Sequence, residues 1–245
     1  MTDPTTDTDP TTGTTDHDPM HAPETRRIRD LVYAALAAEG RAPSVGELAR
    51  RTGDAPERVR RRLHELADAH ALVLDAEGDS IRMAHPFTAA PMAFVVTPLD
   101  GRDDRRWWGG CAWDSFGISA ALGLDVRIDT ACPQCAEHLS VVAGPTTPPP
   151  AELAVRFPRP AAQWWDDVVG TCTMIRLFCS RDHAEQWTRG HAPGRGFIAE
   201  ATTVWSLAQA WYGDRLDPDF EPHSAAHNQQ LLEERGLTGE FWRLP

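Results

Sequence analysis

The sequence predicts an α+β protein: an N-terminal winged-helix-like unit of three helices, followed by a mixed domain of short antiparallel strands and helices. Hydrophobic residues recur at helical spacing over the first third of the chain after residue 25. Further on, short segments alternate polar and apolar residues, and turns rich in Pro and Gly separate them. We therefore expect a disordered acidic tail (1–24), a winged-helix-like domain (25–86) and a mixed domain (87–245).

The first predicted helix follows the tail, with Ile28, Leu31, Val32, Ala35 and Leu36 on one face and Gly40 as its stop. Ser44-Val-Gly-Glu47 is a capping box that begins the second helix. Asp54 is expected to cap the third helix, with Pro56 in its first turn. A small hairpin should follow, formed by 72–74 and 81–83 around Gly78. Three helices and a hairpin are typical of a winged helix.

The mixed domain contains several predicted strands and two predicted helices. Residues 93–97, 126–129 and 139–142 are predicted strands, the last two forming a hairpin, and Thr173–Phe178 is a further one. The Pro-rich segment 144–150 is expected to be a connecting loop. We predict helices over 182–188 and 203–212, and the pattern after residue 213 supports no assignment.

Bulk composition narrows the class of protein. The chain of 245 residues has a net charge of −12, and its first 24 residues hold six acidic residues, no Arg and few apolar residues, which predicts disorder. No apolar run approaches the roughly 20 residues of a membrane span, and the N-terminus has no basic, apolar leader. Five cysteines, an odd count, indicate free thiols rather than a disulfide framework. We expect a cytoplasmic protein.

The densest chemical signal is Trp107-Trp-Gly-Gly-Cys111-Ala-Trp-Asp114. If Cys111 begins a helix after the Gly-Gly break, Asp114 projects from the same face. A helix N-terminus stabilises a thiolate, so we expect the pKa of Cys111 below its usual value of about 8.5. A carboxyl beside a thiolate and aromatic rings loses its proton less readily. The alternative is that the motif is purely structural, with Cys111 as a small buried residue and Asp114 as an ordinary residue of the first helical turn.

The other cysteines give weaker signals. Cys132-Pro-Gln-Cys135 has the spacing of zinc knuckles and redox dithiols, but no second CxxC or HxxxH pair follows at a suitable distance, so the pattern does not favour a closed zinc site. Cys172 and Cys179 bracket the predicted strand 173–178. Since side chains alternate along a strand, at most one of them should face a site shared with Cys111.

From about residue 25 to 212 the sequence resembles the alkylmercury (organomercurial) lyases. Cys111-Ala-Trp-Asp114 is similar to the family's Cys-Ala-x-Asp element, and Val126–Cys132 to a strand ending in a structural cysteine. Leu177-Phe-Cys-Ser180, with Trp187 in register, is similar to a Phe-Phe-x-Ser element that the second active cysteine precedes by five residues. That count ends on Cys172, not on Cys179.

The resemblance implies a carbon–mercury lyase whose catalytic domain is 87–245. Its catalytic residues would be Cys111, Asp114 and Cys172, and the same three would contact the mercury. It implies no organic cofactor, an organomercurial substrate, and transfer of Hg(II) to cellular thiols or a mercuric reductase. Large aromatic residues could line a dry pocket for the organic group, or could be ordinary core residues: Trp107, Trp108, Trp113 and Phe116.

Two alternatives remain open at this point. Residues 26–62 carry ten Arg against five acidic residues, and Arg58, Arg60, Arg61 and Arg62 lie on the predicted third helix. A metal-responsive transcriptional regulator could use that helix on DNA and a cysteine cluster as its sensor, although the pI of 5.2 makes DNA binding the weaker expectation. A family member acting on another soft metal or another carbon–heteroatom bond is the second alternative.

Overall fold

The computed structural model describes residues 22–101 and 104–245. The predicted acidic tail lies outside these residues, except for its last three. The first helix already begins at Pro23, inside the segment that we assigned to the tail. Within the described ranges, no helix has both the length and the apolar character needed to cross a membrane.

Three helices form the N-terminal part of the protein: α1 (Pro23–Glu39), α2 (Val45–Thr52) and α3 (Pro56–Asp68). The helix α1 ends at Gly40, whose φ of 63° is left-handed, and the capping box at the start of α2 is present as predicted. The predicted cap of α3 is wrong. Ala55 occupies the cap position and makes no side-chain cap hydrogen bond. The helix therefore begins at Pro56 without a side-chain cap, because the proline ring already fixes φ near its helical value.

Seven strands form one antiparallel sheet. The strands are β1 (Val73–Leu74), β2 (Ile81–Ala84), β3 (Phe87–Thr88), β4 (Phe94–Pro98), β5 (Trp107–Gly109), β6 (Val126–Ala131) and β7 (His138–Ala143). Their order in the sheet is β1-β2-β3-β5-β4-β6-β7.

The predicted hairpins β1–β2 and β6–β7 are confirmed. The sheet also continues across the predicted domain boundary at residue 86, because β2 pairs with β3. The division into domains at that point stays a prediction.

The remaining elements form a second sheet and the helices around both sheets. They are α4 (Ala112–Leu122), β8 (Ala154–Phe157), α5 (Val168–Met174), β9 (Arg176–Phe178), α6 (Arg181–His191), β10 (Phe197–Glu200), α7 (Ala201–Tyr212), α8 (Ala225–Glu233) and two short 3₁₀ helices at Ala161–Asp167 and Glu240–Trp242. The second sheet is antiparallel, with three strands in the order β10-β8-β9. The helix α4 is buried along nearly its whole length and packs against α7.

The predicted strand over 173–178 is wrong in its first half. The helix α5 covers the segment as far as Met174, and only Arg176–Phe178 is a strand. Asp167 caps α5 by accepting the N–H of Gly170. The hydroxyl of Thr173 donates to the carbonyl four residues back, so this β-branched residue is accommodated within the helix.

Candidate active site

Cys111 stands at the junction between β5 and α4. It occupies the N-cap position with extended backbone (φ −157°), and its Sγ accepts the N–H of Asp114 at 3.3 Å. The side chain is buried. The prediction that Cys111 begins a helix with Asp114 in its first turn is therefore confirmed.

Gly110 explains why a glycine precedes the cysteine. A Cβ at this position would lie 2.6 Å from Oδ2 of Asp114 and 2.5 Å from Cε of Met83. A side chain of any size would therefore press on the carboxyl group that follows in the same motif.

Asp114 is buried, and its two carboxyl oxygens have different surroundings. Oδ1 accepts a hydrogen bond from the hydroxyl of Tyr212 at 3.0 Å. Oδ2 lies 3.4 Å from Nδ1 of His85 and has no hydrogen-bond partner among the residues that the structure describes. Buried polar atoms are usually paired, so an unpaired carboxyl oxygen indicates a place where a proton or ligand is handled.

Sequence reasoning did not identify either neighbour of Asp114. Tyr212 lies 98 residues along the chain, and only the packing of α7 against α4 brings the two together. His85 follows β2 and carries no motif. Nothing in the local sequence indicates either contact.

Cys172 lies in α5, next to the start of α4. The N–H of Ala112 donates to the carbonyl of Ile175 at 3.1 Å, which joins the two helix ends. The ligand atoms of Cys172, Asp114 and His85 lie within 4.8 Å of one another, and Cys172 lines the same cavity as Cys111. The structure thus brings together all three residues that the sequence singled out.

The predicted low pKa of Cys111 is wrong. Burial raises the pKa of this thiol well above its usual value, with smaller contributions from Cys172 and the Asp114 charge, and the N–H of Asp114 offsets little of it. For Cys172, the neighbouring Cys111 thiol lowers the pKa, but burial and Asp114 outweigh it and the net pKa is raised. Desolvation exceeds the stabilisation that a helix N-terminus provides.

The three residues line a cavity of about 360 Å³. Four tryptophans contribute to its wall, and of the four aromatic residues that we expected there, only Trp113 does so. The imidazole of His70 stacks on Trp165 at 4.0 Å between ring centres, so the segment after α3 forms part of the wall. The tryptophans are Trp113, Trp164, Trp165 and Trp211.

The remaining cysteines lie elsewhere. Cys132, Cys135 and Cys179 do not line the cavity; they lie together, with His183 beside them. Cys172 therefore lies at the cavity and Cys179 in this second cluster, so only one of the two faces the site of Cys111, as predicted. The physical reason differs from the one expected, because Cys172 lies in the helix α5 and not on the opposite face of a strand.

The arginines of α3 are largely paired with acidic side chains. Arg60 lies 3.0 Å from Asp79, and Arg62 lies 2.9 Å from Glu65. This pairing reduces the positive charge that a DNA-binding surface needs. The structure therefore does not favour the regulator alternative.

Comparisons with known proteins give the family and the fold of this chain. A family profile described as alkylmercury lyase matches residues 87–213. A solved structure described as the mercury-bound form of MerB2 is similar in fold, with a TM-score of 0.58 and 23% sequence identity over 79% of this chain and 89% of that one. A search of curated proteins found no match.

Proposed function

The chain belongs to the alkylmercury lyase family, and we propose that it cleaves the carbon–mercury bond of organomercurials by protonolysis, with Cys111 and Cys172 as mercury ligands and Asp114 as proton donor. One observation carries this proposal. The two buried thiols and the buried carboxyl group line one cavity, and the ligand atoms of Cys172 and Asp114 lie within 4.8 Å of each other. A soft nucleophile and an acid are thus available at one point.

The first step is capture of the substrate by Cys172. Mercury is a soft metal and prefers sulfur ligands. The Cys172 thiol passes its proton to the nearby Asp114 carboxylate, and its sulfur displaces the anion X⁻ from R–Hg–X. The neighbouring Cys111 thiol favours this thiolate, since its effect on the pKa of Cys172 is a lowering one.

The second step places both sulfurs on mercury. Cys111 binds the metal and releases its proton, which leaves with X⁻ as HX. Two sulfur ligands increase the electron density on the carbon and so weaken its bond to mercury. Because both thiols are buried beside the cavity, little water competes for the metal.

Protonation of the carbon completes the reaction. The protonated Asp114 carboxyl group gives its proton to the carbon, R–H leaves, and Hg(II) remains on the two sulfurs. The overall balance is R–Hg–X plus two thiols giving R–H, HX and a mercury dithiolate. External cellular thiols, or a mercuric reductase, would then remove Hg(II) and restore the thiols; no organic cofactor takes part.

Oδ2 of Asp114 is the atom that we assign to proton transfer. Oδ1 is already engaged by Tyr212, whereas Oδ2 has no hydrogen-bond partner among the described residues. The ligand atoms of Cys172, Asp114 and His85 lie within 4.8 Å of one another, so mercury on Cys172 would have its carbon within reach of the carboxyl group.

The test is incubation of the full-length protein with phenylmercury and an excess of thiol, with gas-chromatographic measurement of benzene. We expect benzene in amounts exceeding the protein, and none above background without protein. Mercury binding without any benzene would contradict the proposal. Release of product from another carbon–heteroatom substrate alone would point to the second alternative.

A further inference from the structure

A second cluster of soft ligands lies outside the cavity. It consists of Cys132, Cys135, Cys179 and His183, whose ligand atoms all lie within 4.8 Å of one another. The proposed lyase reaction uses none of these residues. All three cysteines are free thiols, so the cluster is available to a metal ion.

We propose that this cluster is a structural zinc site of the Cys₃His type. Closed zinc sites use four protein ligands in a tetrahedron, with sulfur about 2.3 Å and nitrogen about 2.0 Å from the metal. Ligands in such a tetrahedron lie about 3.8 Å apart for two sulfurs and about 3.5 Å apart for sulfur and nitrogen. The proposal does not depend on the lyase function.

The observed distances agree with that geometry. The Sγ atoms of Cys132 and Cys179 are 3.6 Å apart, and those of Cys135 and Cys179 are 3.8 Å apart. Nδ1 of His183 lies 3.8 Å from Sγ of Cys132 and 2.9 Å from Sγ of Cys179. These spacings bracket the tetrahedral values, so a zinc ion needs only small side-chain adjustments.

The hairpin β6–β7 provides two of the ligands. Cys132 and Cys135 lie in the turn of the β6–β7 hairpin, which the N–H of Ala136 closes by donating to the carbonyl of Cys132 at 2.8 Å. The N–H of Cys132 donates to the carbonyl of Glu137 at 2.9 Å, which closes the same turn a second time.

The other two ligands flank the start of α6. Ser180 is the N-cap of this helix and accepts the N–H of His183 at 3.2 Å. The cap places His183 in the first turn, beside Cys179, which follows β9 directly. The CxxC pair and the Cys179-x-x-x-His183 pair therefore meet only in the folded chain, which is why the sequence pattern alone did not favour a closed site.

A zinc ion here would join the two sheets. The hairpin β6–β7 belongs to the seven-stranded sheet, whereas β9 belongs to the three-stranded one. The strand β9 follows directly on α5, which carries Cys172. Zinc would thus stabilise the segment that presents one of the two proposed mercury ligands. Binding would release the protons of the three thiols, since zinc binds thiolates.

The test loads the full-length protein with Zn²⁺ under reducing conditions, removes loose metal on a desalting column and measures zinc by mass spectrometry. We expect one zinc per chain in the wild type. We expect Cys135→Ser, a change at an exposed residue, to weaken binding by more than about 100-fold, because loss of a residue that only hydrogen-bonds to a ligand already costs about 10- to 100-fold. A double variant, Cys111→Ser with Cys172→Ser, is the matched control and should keep its zinc.

Co²⁺ provides a measurement that needs no variant. Wild-type protein loaded with Co²⁺ should show the visible bands of tetrahedral cobalt and the ultraviolet charge-transfer band of cobalt thiolates. Absence of these bands, or no zinc retained by the wild type, would overturn the proposal. So would zinc that is lost from the Cys111/Cys172 double variant and kept by Cys135→Ser, or a thiol count showing two of the three cysteines joined as a disulfide.

Discussion

The hydroxyl of Tyr212 donates a hydrogen bond of 3.0 Å to Oδ1 of Asp114 in the buried interior of the protein. This contact makes the two carboxyl oxygens inequivalent. Oδ1 is held by an O–H donor, and Oδ2 is left for proton exchange with the sulfur and the substrate. Tyr212 also stabilises the carboxylate that remains after the proton has been given away. It is a positioning residue for the proposed acid.

Replacing Tyr212 by Phe should slow hydrocarbon release about 10- to 100-fold, because a hydrogen bond to a charged group contributes about 1.5–3 kcal/mol. Capture of the organomercurial should change little, since both thiols remain. Single-turnover assays that follow mercury binding and benzene separately would show this. Tyr33→Phe is the control, because that hydroxyl donates to the backbone carbonyls of Ala71 and His85 and not to the Asp114 carboxyl group; equal losses in both variants would argue against a specific role for Tyr212.

Gly110→Ala should reduce hydrocarbon release by about 100-fold, because the added Cβ would displace Oδ2 of Asp114, and a misplacement of about 1 Å can cost this much. Gly190→Ala is the control. Gly190 lies in α6 with nothing within 4 Å of its Cβ position, so the change should be neutral or slightly stabilising. Normal turnover in Gly110→Ala, measured as benzene release, would show that the glycine does not protect the carboxyl group.

Cys111→Ser and Cys172→Ser should each reduce turnover by at least about 10³-fold, because one sulfur ligand activates the carbon too weakly. When catalytic groups act together, removing one of them costs about as much activity as removing all of them. Thr173→Ala is the neighbouring control. Thr173 is exposed, and its hydroxyl donates to the backbone of its own helix. If Cys172→Ser keeps its activity, then Cys172 is not the second mercury ligand.

The raised pKa of the buried Cys111 thiol predicts how stability depends on pH. The unfolded chain loses this proton near pH 8.5, whereas the folded protein holds it to a higher pH. Stability is therefore fully present below about pH 8.5 and falls above it, by up to about 1.4 kcal/mol for each pH unit from this group. Urea unfolding between pH 7 and 10 in reducing buffer would measure the slope. Cys111→Ala should flatten it, and parallel curves would contradict the assignment.

Local patterns were sufficient for the elements whose determinants are close in sequence. The capping box of α2, the stop of α1 at Gly40 and the β6–β7 hairpin depend on neighbouring residues, and all are present. The segment before β9 was predicted wrongly, because Asp167 and backbone bonds of the threonine hydroxyls favour a helix over the strand that its β-branched residues suggest.

The candidate site was predictable only in part, because some of its contacts join residues that are distant in sequence. Cys111 and Asp114 belong to one motif, and Cys172 was identified by its spacing from Leu177 and Trp187 within a family resemblance. Tyr212 was not found, because its contact with Asp114 arises from packing between distant helices. The low pKa expected for Cys111 was wrong because the sequence does not reveal how completely the thiol is buried.

The measurement that tests the proposed mechanism most directly is a single-turnover comparison of the wild type with Asp114→Asn, using phenylmercury and following bound mercury and benzene in parallel. Asn preserves the shape of the side chain and the backbone N–H that donates to Cys111, but it cannot deliver the proton. We predict that the variant binds mercury stoichiometrically with the phenyl group still attached, and that benzene appears about 10²- to 10⁴-fold more slowly. Benzene release at nearly the wild-type rate would contradict the role of Asp114 as the proton donor.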